Sequence, residues 1–357
     1  MKIASLSARA VMAPLAQPIS TAQTAIPAAP LVIVTVSTDT EISGTGYVFG
    51  YTPLMLRPLV QFLEALGEAL KGHSADPGHI AAHTTAQFRL LGRQGMVGMA
   101  LAGLDLALWD AQGKAANLPV ATLLGAEPMP LTCYDSQGVF IPGRDVHLIE
   151  ASLARGFRAI KVKLGFPELK QDLDALRALR ALTGPEIALM LDYNQSFDAT
   201  EAIQRITAIE DAGLHLSWIE EPVPAEDTRA YQAVRAAVNT PIQSGENWWH
   251  AADAARMTDA QTTDLAMPDM IKIGGLTGWQ QAAPICAAHG IKVSSHLFVE
   301  ASAHALAATP NAHLLEWLDV AGGLMDTPQP LIDGTTTARG PGLGIRWDAD
   351  KLAHYAV

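Results

Sequence analysis

The sequence is poor in the features that mark several protein classes. It has two cysteines, Cys133 and Cys286, among 357 residues. Two thiols so far apart in sequence build neither a disulfide framework nor a CxxC metal motif. That usage fits a reducing compartment, and a cytoplasmic location is expected. Only 17% of residues are charged, and Lys plus Arg (24) are outnumbered by Asp plus Glu (36), for a formal net charge of −12. No cluster of basic residues occurs, so no nucleic acid and no anionic membrane surface is expected as a partner. No run of about 18 apolar residues occurs, so no membrane span is expected. Ser5, Ser7 and Arg9 interrupt the apolar stretch after Lys2, which argues against a signal peptide. Low-complexity segments are absent as well. What is present is a 49% hydrophobic content, enough to fill a sizeable core. An acidic chain that handles an anionic substrate needs local positive charge, from a metal or from a few lysines.

The first third reads as α+β. Residues 30–38 (PLVIVTVST) and the stretch GTGYVF read as strands. LMLRPLVQFLEALGEALKG has helical apolar spacing up to Gly72. A helix over about 94–115 is apolar nearly all round, which predicts burial. Pro128 and Pro130 mark a change. From there eight short apolar runs alternate with helical stretches: LTCYD, AIKVK, ALMLD, LSWIE, IQSGE, LAMPD, IKVSSH and HLLEW. Such alternation predicts parallel strands closing into a TIM-type (β/α) barrel. The expected organisation is an α+β capping domain over 1–127, a barrel over 128–317, and a tail over 318–357 that returns to the cap.

Nearly every strand candidate ends in a polar or charged residue: Lys161 and Lys163, Asp192, Glu220 with Glu221, Glu246, Asp269, His296 and Glu316. A charge ending one strand is often only the first solvated loop residue. A whole series, with acids and bases segregated by strand, points to the barrel mouth, where C-terminal strand ends converge. Asp192, Glu220 or Glu221, and Glu246 fall on three adjacent strands. Three carboxylates brought together repel unless a cation neutralises them. Hard oxygen ligands without Cys or His suggest Mg²⁺, with Mn²⁺ as the other ion such a set accepts. Alternation sends the side chains of Glu220 and Glu221 to opposite sides, so one of them is the ligand, and spacing alone does not say which.

Lys161 and Lys163 are two apart on a strand and point the same way. Mutual repulsion and burial predict a depressed pKa for at least one, making it usable as a base. An Asp beside a His fixes its tautomer, and Asp269 and His296 end neighbouring strands. With the metal centre between them, Lys163 and His296 approach a substrate from opposite sides. That arrangement suits moving a proton from one face of a carbon to the other through an enediolate. The metal and Lys161 would stabilise its charge. Glu316, if protonated, could donate to the other carboxylate oxygen; a salt bridge to one of the lysines is its competing reading.

At these residues the sequence resembles the enolase superfamily, and within it the mandelate racemase subgroup. The segments that carry the resemblance are AIKVKLG, LMLDYNQS, WIEEP, GENW, MPDMIKIGG, SSHLF and LEWLD in the barrel. YVFGYTP and MALAGLDLALWDAQGK extend it toward the N-terminus. The resemblance implies an enolase-like modified barrel with an α+β cap. It implies Lys163 and His296, held by Asp269, as the two bases, Lys161 as the contact to the substrate carboxylate, and Glu316 as the electrophilic acid. It selects Glu220 over Glu221 as metal ligand beside Asp192 and Glu246. Ser136 and Asn194 are implied as polar groups near substrate or metal, and a homo-oligomer, often an octamer, as the assembly.

In this family the cap closes over the mouth. The candidate lid is residues 18–30, PISTAQTAIPAAP, with Ile19 and Ile26 apolar and Gln23 a polar interruption. Phe49, Tyr51, Leu297 and Leu318 could complete an apolar pocket. The expected activity is racemisation of a mandelate-like 2-hydroxy acid, a small carboxylate. An acid-sugar dehydratase on the same scaffold is the alternative, and a catalytically silent carboxylate-binding protein is the alternative of another class.

Overall fold

The computed structural model describes residues 1–20 and 25–357. Its first layer is an antiparallel sheet in the order β1 (Ile3–Ser20), β2 (Ala25–Thr38), β3 (Ser43–Phe49). β1 carries Pro14 and Pro18, residues that argue against a strand. It tolerates them because it is the edge strand, where a missing N–H leaves no partner unpaired. The described part of the candidate lid, residues 18–20 and 25–30, lies on the paired strands β1 and β2, with Ile19 paired to Ile26; its residues 21–24, Gln23 among them, lie outside the described residues.

Helices α1 (Leu56–Leu70), α2 (Pro77–Gln87) and α3 (Gly95–Ala116) back this sheet, followed by the short α4 (Val120–Leu123). α2, which the sequence pattern does not announce, starts on an Asp76 cap that accepts the His79 N–H, followed by Pro77. α3 is buried on most of its surface, as its all-round apolar pattern requires. It lies against β3 so closely that a Cβ on Gly44 would sit 2.0 Å from the Ala107 carbonyl oxygen, and one on Gly46 would sit 2.7 Å from Leu106 Cβ.

The second layer is the barrel. Its strands are β4 (Leu131–Val139), β5 (Ala159–Lys163), β6 (Ala188–Asp192), β7 (Trp218–Glu220), β8 (Ile242–Ser244), β9 (Leu265–Ala266), β10 (Lys292–Val293) and β11 (Leu315–Trp317). All neighbours in the path β10-β9-β8-β7-β6-β5-β4-β11 are parallel. Closure between the two ends uses a parallel bridge of Val293 with Ala312 and the bond from His313 N–H to the Val293 carbonyl (2.7 Å). Seven helices separate the eight strands: α5 (Val146–Ala154), α6 (Leu169–Thr183), α7 (Ala199–Asp211), α8 (Thr228–Ala237), α9 (His250–Asp259), α10 (Gly275–Ala288) and α11 (Val299–Ala307). β11 is followed by no ring helix. The chain instead pairs β12 (Thr335–Thr336) antiparallel with β4 and ends in α12 (Ala349–His354). Tail residues then bond to the cap: the Met12 N–H to the Tyr355 carbonyl (2.9 Å), and the Trp347 indole to Thr45 (2.7 Å). Among the described residues no helix is long and apolar enough to cross a membrane.

The β3–α3 contact generates a stability prediction. Gly44→Ala drives a methyl into backbone, and overpacking of this kind costs about 1–3 kcal/mol. Urea unfolding should show a lowered midpoint. An unchanged midpoint would mean that the sheet and helix separate freely.

Candidate active site

Strand alternation decides what faces the barrel interior. Tyr134, Ala159, Met190 and Trp218 form a small core cluster of their own. Two residues on, along β5, β6 and β7, come Lys161, Asp192 and Glu220, so these side chains also point inward. Register sets their height. Lys163 lies beside Asp192, Asp192 beside Glu220, and Ser136 beside Lys161. Neighbouring strands therefore deliver a lysine and two carboxylates to one level at the mouth.

Asp192, Glu220 and Glu246 offer oxygens that all lie within 4.8 Å of one another, and all three residues are buried. Glu220, and not Glu221, joins the trio. Glu221 turns away in a left-handed conformation (φ 40°) and takes the Asn247 amide at 2.9 and 3.0 Å. Burial first, then repulsion from Asp192, Glu246 and Glu316, pushes Glu220 up to about 8 despite Lys161. Burial and Glu246 likewise push Glu221 well above the carboxylate range. A cluster that holds its acids so far from their preferred ionised state is short of positive charge. Three hard oxygen donors fit a divalent cation such as Mg²⁺.

The lysines are not in the state that their spacing predicts. Lys161 donates to Glu220 (2.6 Å) and lies 2.8 Å from Glu316. Lys163 donates to Asp192 (2.5 Å) and to Asn194 Oδ1 (3.0 Å). Burial lowers both, but the carboxylates outweigh it: Lys161 is held well above the usual lysine value by Glu220 and Glu316, and Lys163 is raised by Asp192. The expected depression is absent because each ammonium has its own counter-charge. Glu316 is in its competing state too. Lys161 and His296, with the Leu297 N–H (2.8 Å), outweigh burial and pull it down to about 2, so here it is an ionised salt-bridge partner and not a proton donor.

On the far side, His296 Nδ1 lies 2.8 Å from Asp269 Oδ2, and Nε2 lies 3.3 Å from Glu246. Burial lowers the imidazole, but Glu246, Glu316 and Asp269 together raise it to about 9. Ser136 Oγ is buried without a partner. The Asn194 amide donates to Asp192 (2.9 Å). Tyr51 reaches Asp269 with its hydroxyl (3.4 Å) and packs on Phe49 at 4.6 Å between ring centroids. Leu297 is buried and Leu318 partly buried. Ile19 and Ile26 are partly buried in the hairpin, which docks at the C-terminal end of β4, where Ser20 Oγ accepts the Val139 N–H (3.1 Å). Tyr51, Asn194, Gln195, Glu221, Leu297 and Phe298 all have left-handed backbones. Such strain clusters where function demands a particular side-chain direction.

Two contacts escaped the sequence reading. Lys272, inside MPDMIKIGG, is buried and donates to Asn247 Oδ1 (2.7 Å). Tyr134 lies under Lys161, with the ammonium 5.4 Å from its ring centroid. A lysine within an apolar motif was the available signal for the first; nothing in the local pattern marked the second.

A capped barrel with seven ring helices, a carboxylate trio and flanking lysine and histidine defines the enolase class of barrel enzymes. The chain belongs to its mandelate racemase/muconate lactonizing enzyme family. Residues 3–125 match the family's N-terminal domain, and residues 144–351 match the enolase C-terminal domain-like model. An enolase from Bradyrhizobium, solved with magnesium and mandelic acid, superposes with a TM-score of 0.97 at 46% identity, covering 100% of this chain and 98% of that one. L-talarate/galactarate dehydratase of Salmonella typhimurium is 33% identical over 247 residues, 68% of this chain, and the chain spans 62% of that relative's length. A hydrophobic dipeptide epimerase of Enterococcus faecalis is 27% identical over 97% of this chain and 99% of its own.

The charge shortage generates a prediction. Only the folded chain assembles the trio, so a divalent cation should raise the Tm of metal-free protein. A concentration of one hundred times Kd corresponds to about 2.7 kcal/mol. Below about pH 8 Glu220 must shed a proton to bind, so affinity should rise with pH up to that value and level off above it. Calorimetric titration across pH checks this. A full Tm shift retained in Asp192→Asn would defeat the assignment.

Proposed function

We propose that the chain is a magnesium-dependent racemase of a 2-hydroxy carboxylate bearing an aromatic or otherwise apolar substituent. The observation that carries this reading is the position of the two bases. Lys163 sits on Asp192 at one end of the carboxylate trio, and His296 sits near Glu246 at the other. A substrate carboxylate seated at the trio would hold its α-carbon between an amine and an imidazole.

Mg²⁺, or Mn²⁺ in its place, would be held by Asp192, Glu220 and Glu246, and would supply neutralising charge and Lewis acidity. With those carboxylates engaged, Lys161 and Lys163 lose counter-charge. Burial and mutual repulsion then act on Lys163 unopposed and bring it toward a base's range. Lys161 remains to hold a substrate carboxylate oxygen. Glu316, facing a second anion once an enediolate forms, gains reason to take up a proton and donate it in a hydrogen bond. Asp269 keeps the His296 Nδ1 proton in place, leaving Nε2 to exchange a proton with the α-carbon. Ser136, with its free hydroxyl, and Asn194 would orient the substrate. Ile19, Ile26, Phe49, Tyr51, Leu297 and Leu318 would form the apolar pocket. The mandelic acid in the Bradyrhizobium relative supports that choice of substrate. The proposed partners are this small carboxylate and further copies of the chain in a homo-oligomer, of octameric size in the extreme.

A second reading is favoured by the likeness to the talarate/galactarate dehydratase. There His296 would act as an acid and expel a 3-hydroxyl. The two are separated by incubating aromatic 2-hydroxy acids and aldonates with the protein in D₂O. Uptake of α-deuterium by mandelate or a close analogue is expected. Water loss from an aldonate with no exchange in the aromatic acids would replace the first reading by the second. Lys163→Ala and His296→Asn should each abolish exchange from one enantiomer, and from opposite ones. Loss from both enantiomers in each variant contradicts the two-base assignment.

A further inference from the structure

Asp269 is fully buried, and its carboxylate is engaged in every direction. Oδ1 accepts the backbone N–H of Ile271 (2.8 Å) and of Lys272 (3.0 Å). Oδ2 faces His296 Nδ1 at 2.8 Å and also takes the Tyr51 hydroxyl at 3.4 Å. Three of these four partners belong to the barrel. The fourth comes from the cap, from the loop just after β3.

Tyr51 is held there with care. Its backbone is left-handed (φ 58°), an unfavourable state for an aromatic residue. Its ring is clamped by Phe49 on one side and by the Lys272 ammonium, 4.7 Å from the ring centroid. Lys272 also donates to Asn247, which in turn donates to Glu221 and, at 3.4 Å, to Glu246. The cap ring is thereby latched to the loop that follows β8 and to the turn that starts at Asp269.

We propose that Tyr51 is a positioning residue for His296, acting through Asp269, so that seating of the cap completes the alignment of one of the two bases; this rests on the racemase reading. The physical basis is directional. Two N–H groups fix one carboxylate oxygen. A phenol on the other stops the group from turning about its last bond, and the imidazole then meets a single fixed acceptor. Without the hydroxyl, Oδ2 has only the imidazole, and the pair can swing together. Among the described residues Lys163, held by Asp192 and Asn194 at the other end of the trio, has no hydrogen bond to this network.

The test is Tyr51→Phe, which keeps the ring, its stacking and the ammonium contact and deletes only the hydroxyl. Exchange of the α-proton in D₂O is followed separately from each enantiomer of mandelate. The enantiomer that depends on His296 should lose about tenfold in rate, the usual scale for removing a hydrogen bond that orients a functional group. Any change that Tyr51→Phe makes through the pocket falls on both enantiomers alike, so the ratio of the His296-dependent rate to the Lys163-dependent rate should drop by that factor. Equal loss on both sides would make Tyr51 a pocket wall only, and no loss on either would make the hydroxyl idle; both overturn the proposal. The downfield imidazole proton shared with Asp269, assigned in proton NMR by its loss in His296→Asn, gives a second reading that needs no turnover. It should move in Tyr51→Phe, and an unmoved resonance overturns the proposal. Absence of exchange in the parent protein, with a resonance that does move, would instead defeat the racemase reading.

Discussion

The structure depends on confining more negative than positive charge in a dry place. Asp192, Glu220, Glu221, Glu246, Asp269 and Glu316 are all buried, and the buried cations that meet them are Lys161, Lys163, Lys272 and His296. With every carboxylate ionised and the histidine charged, two negative charges are left over, the charge of one divalent ion; without that ion Glu220 and Glu221 are the acids pushed toward keeping their protons. Burying ions costs several kcal/mol each unless they are paired and hydrogen-bonded. The lysines therefore settle on the carboxylates, which explains why they are raised and Glu316 is lowered. The same shortage makes the mouth receptive to a cation and, on the proposed reading, through it to an anionic substrate. The pairing and the proposed chemistry are two states of one charge balance.

That balance is delivered by register. Parallel strands in fixed alignment put Lys163, Asp192 and Glu220 side by side at one level, and period-two alternation stacks them above an apolar plug of Tyr134, Ala159, Met190 and Trp218. The plug blocks water from below, so the charges interact in a medium far less polarisable than solvent. Where the strands stop, left-handed residues such as Asn194, Glu221 and Leu297 turn the chain sharply. They do so at a cost of about 1–3 kcal/mol each, recovered from the surrounding packing. β9 and β10 are short, each running two residues before the chain leaves the ladder to place Asp269 and His296.

The barrel and its carboxylate trio were legible in the sequence because nearly every strand writes the same sentence: a few apolar residues, then one functional group. Seven of the eight strands repeat it, and the repetition overrides the ambiguity of any single one. Other parts were hidden for physical reasons. β1 contains prolines that only its edge position excuses. α2 has apolar residues on no consistent face, and its capping residue is its main signal. The protonation state of Lys161, Lys163 and Glu316 depends on partners from other strands. Two lysines seen alone repel, and when each faces a carboxylate the repulsion persists but the counter-charge outweighs it. Lys272 was passed over because its partners, Asn247 and the Tyr51 ring, come from another strand end and from the cap.

The division of labour between the layers follows from these constraints. The proposed proton abstraction needs groups held within tenths of an ångström, and the barrel holds its lysines, carboxylates and histidine on parallel strands tied into one ladder. On the proposed reading, what happens after abstraction depends on what surrounds the substrate's remote end, and the hairpin carrying Ile19 and Ile26 and the Phe49–Tyr51 loop are the proposed surface. These cap segments meet the barrel through a few contacts, such as Ser20 with Val139 and Tyr51 with Asp269. The hairpin can therefore vary without disturbing the charge balance below, whereas Tyr51 touches two members of that balance, Asp269 and Lys272. This accounts for a chain that resembles both a mandelic-acid-bound enolase and an acid-sugar dehydratase. On the proposed reading the barrel's acid–base set removes the proton, and the hairpin and the loop above it bear on the fate of the carbanion.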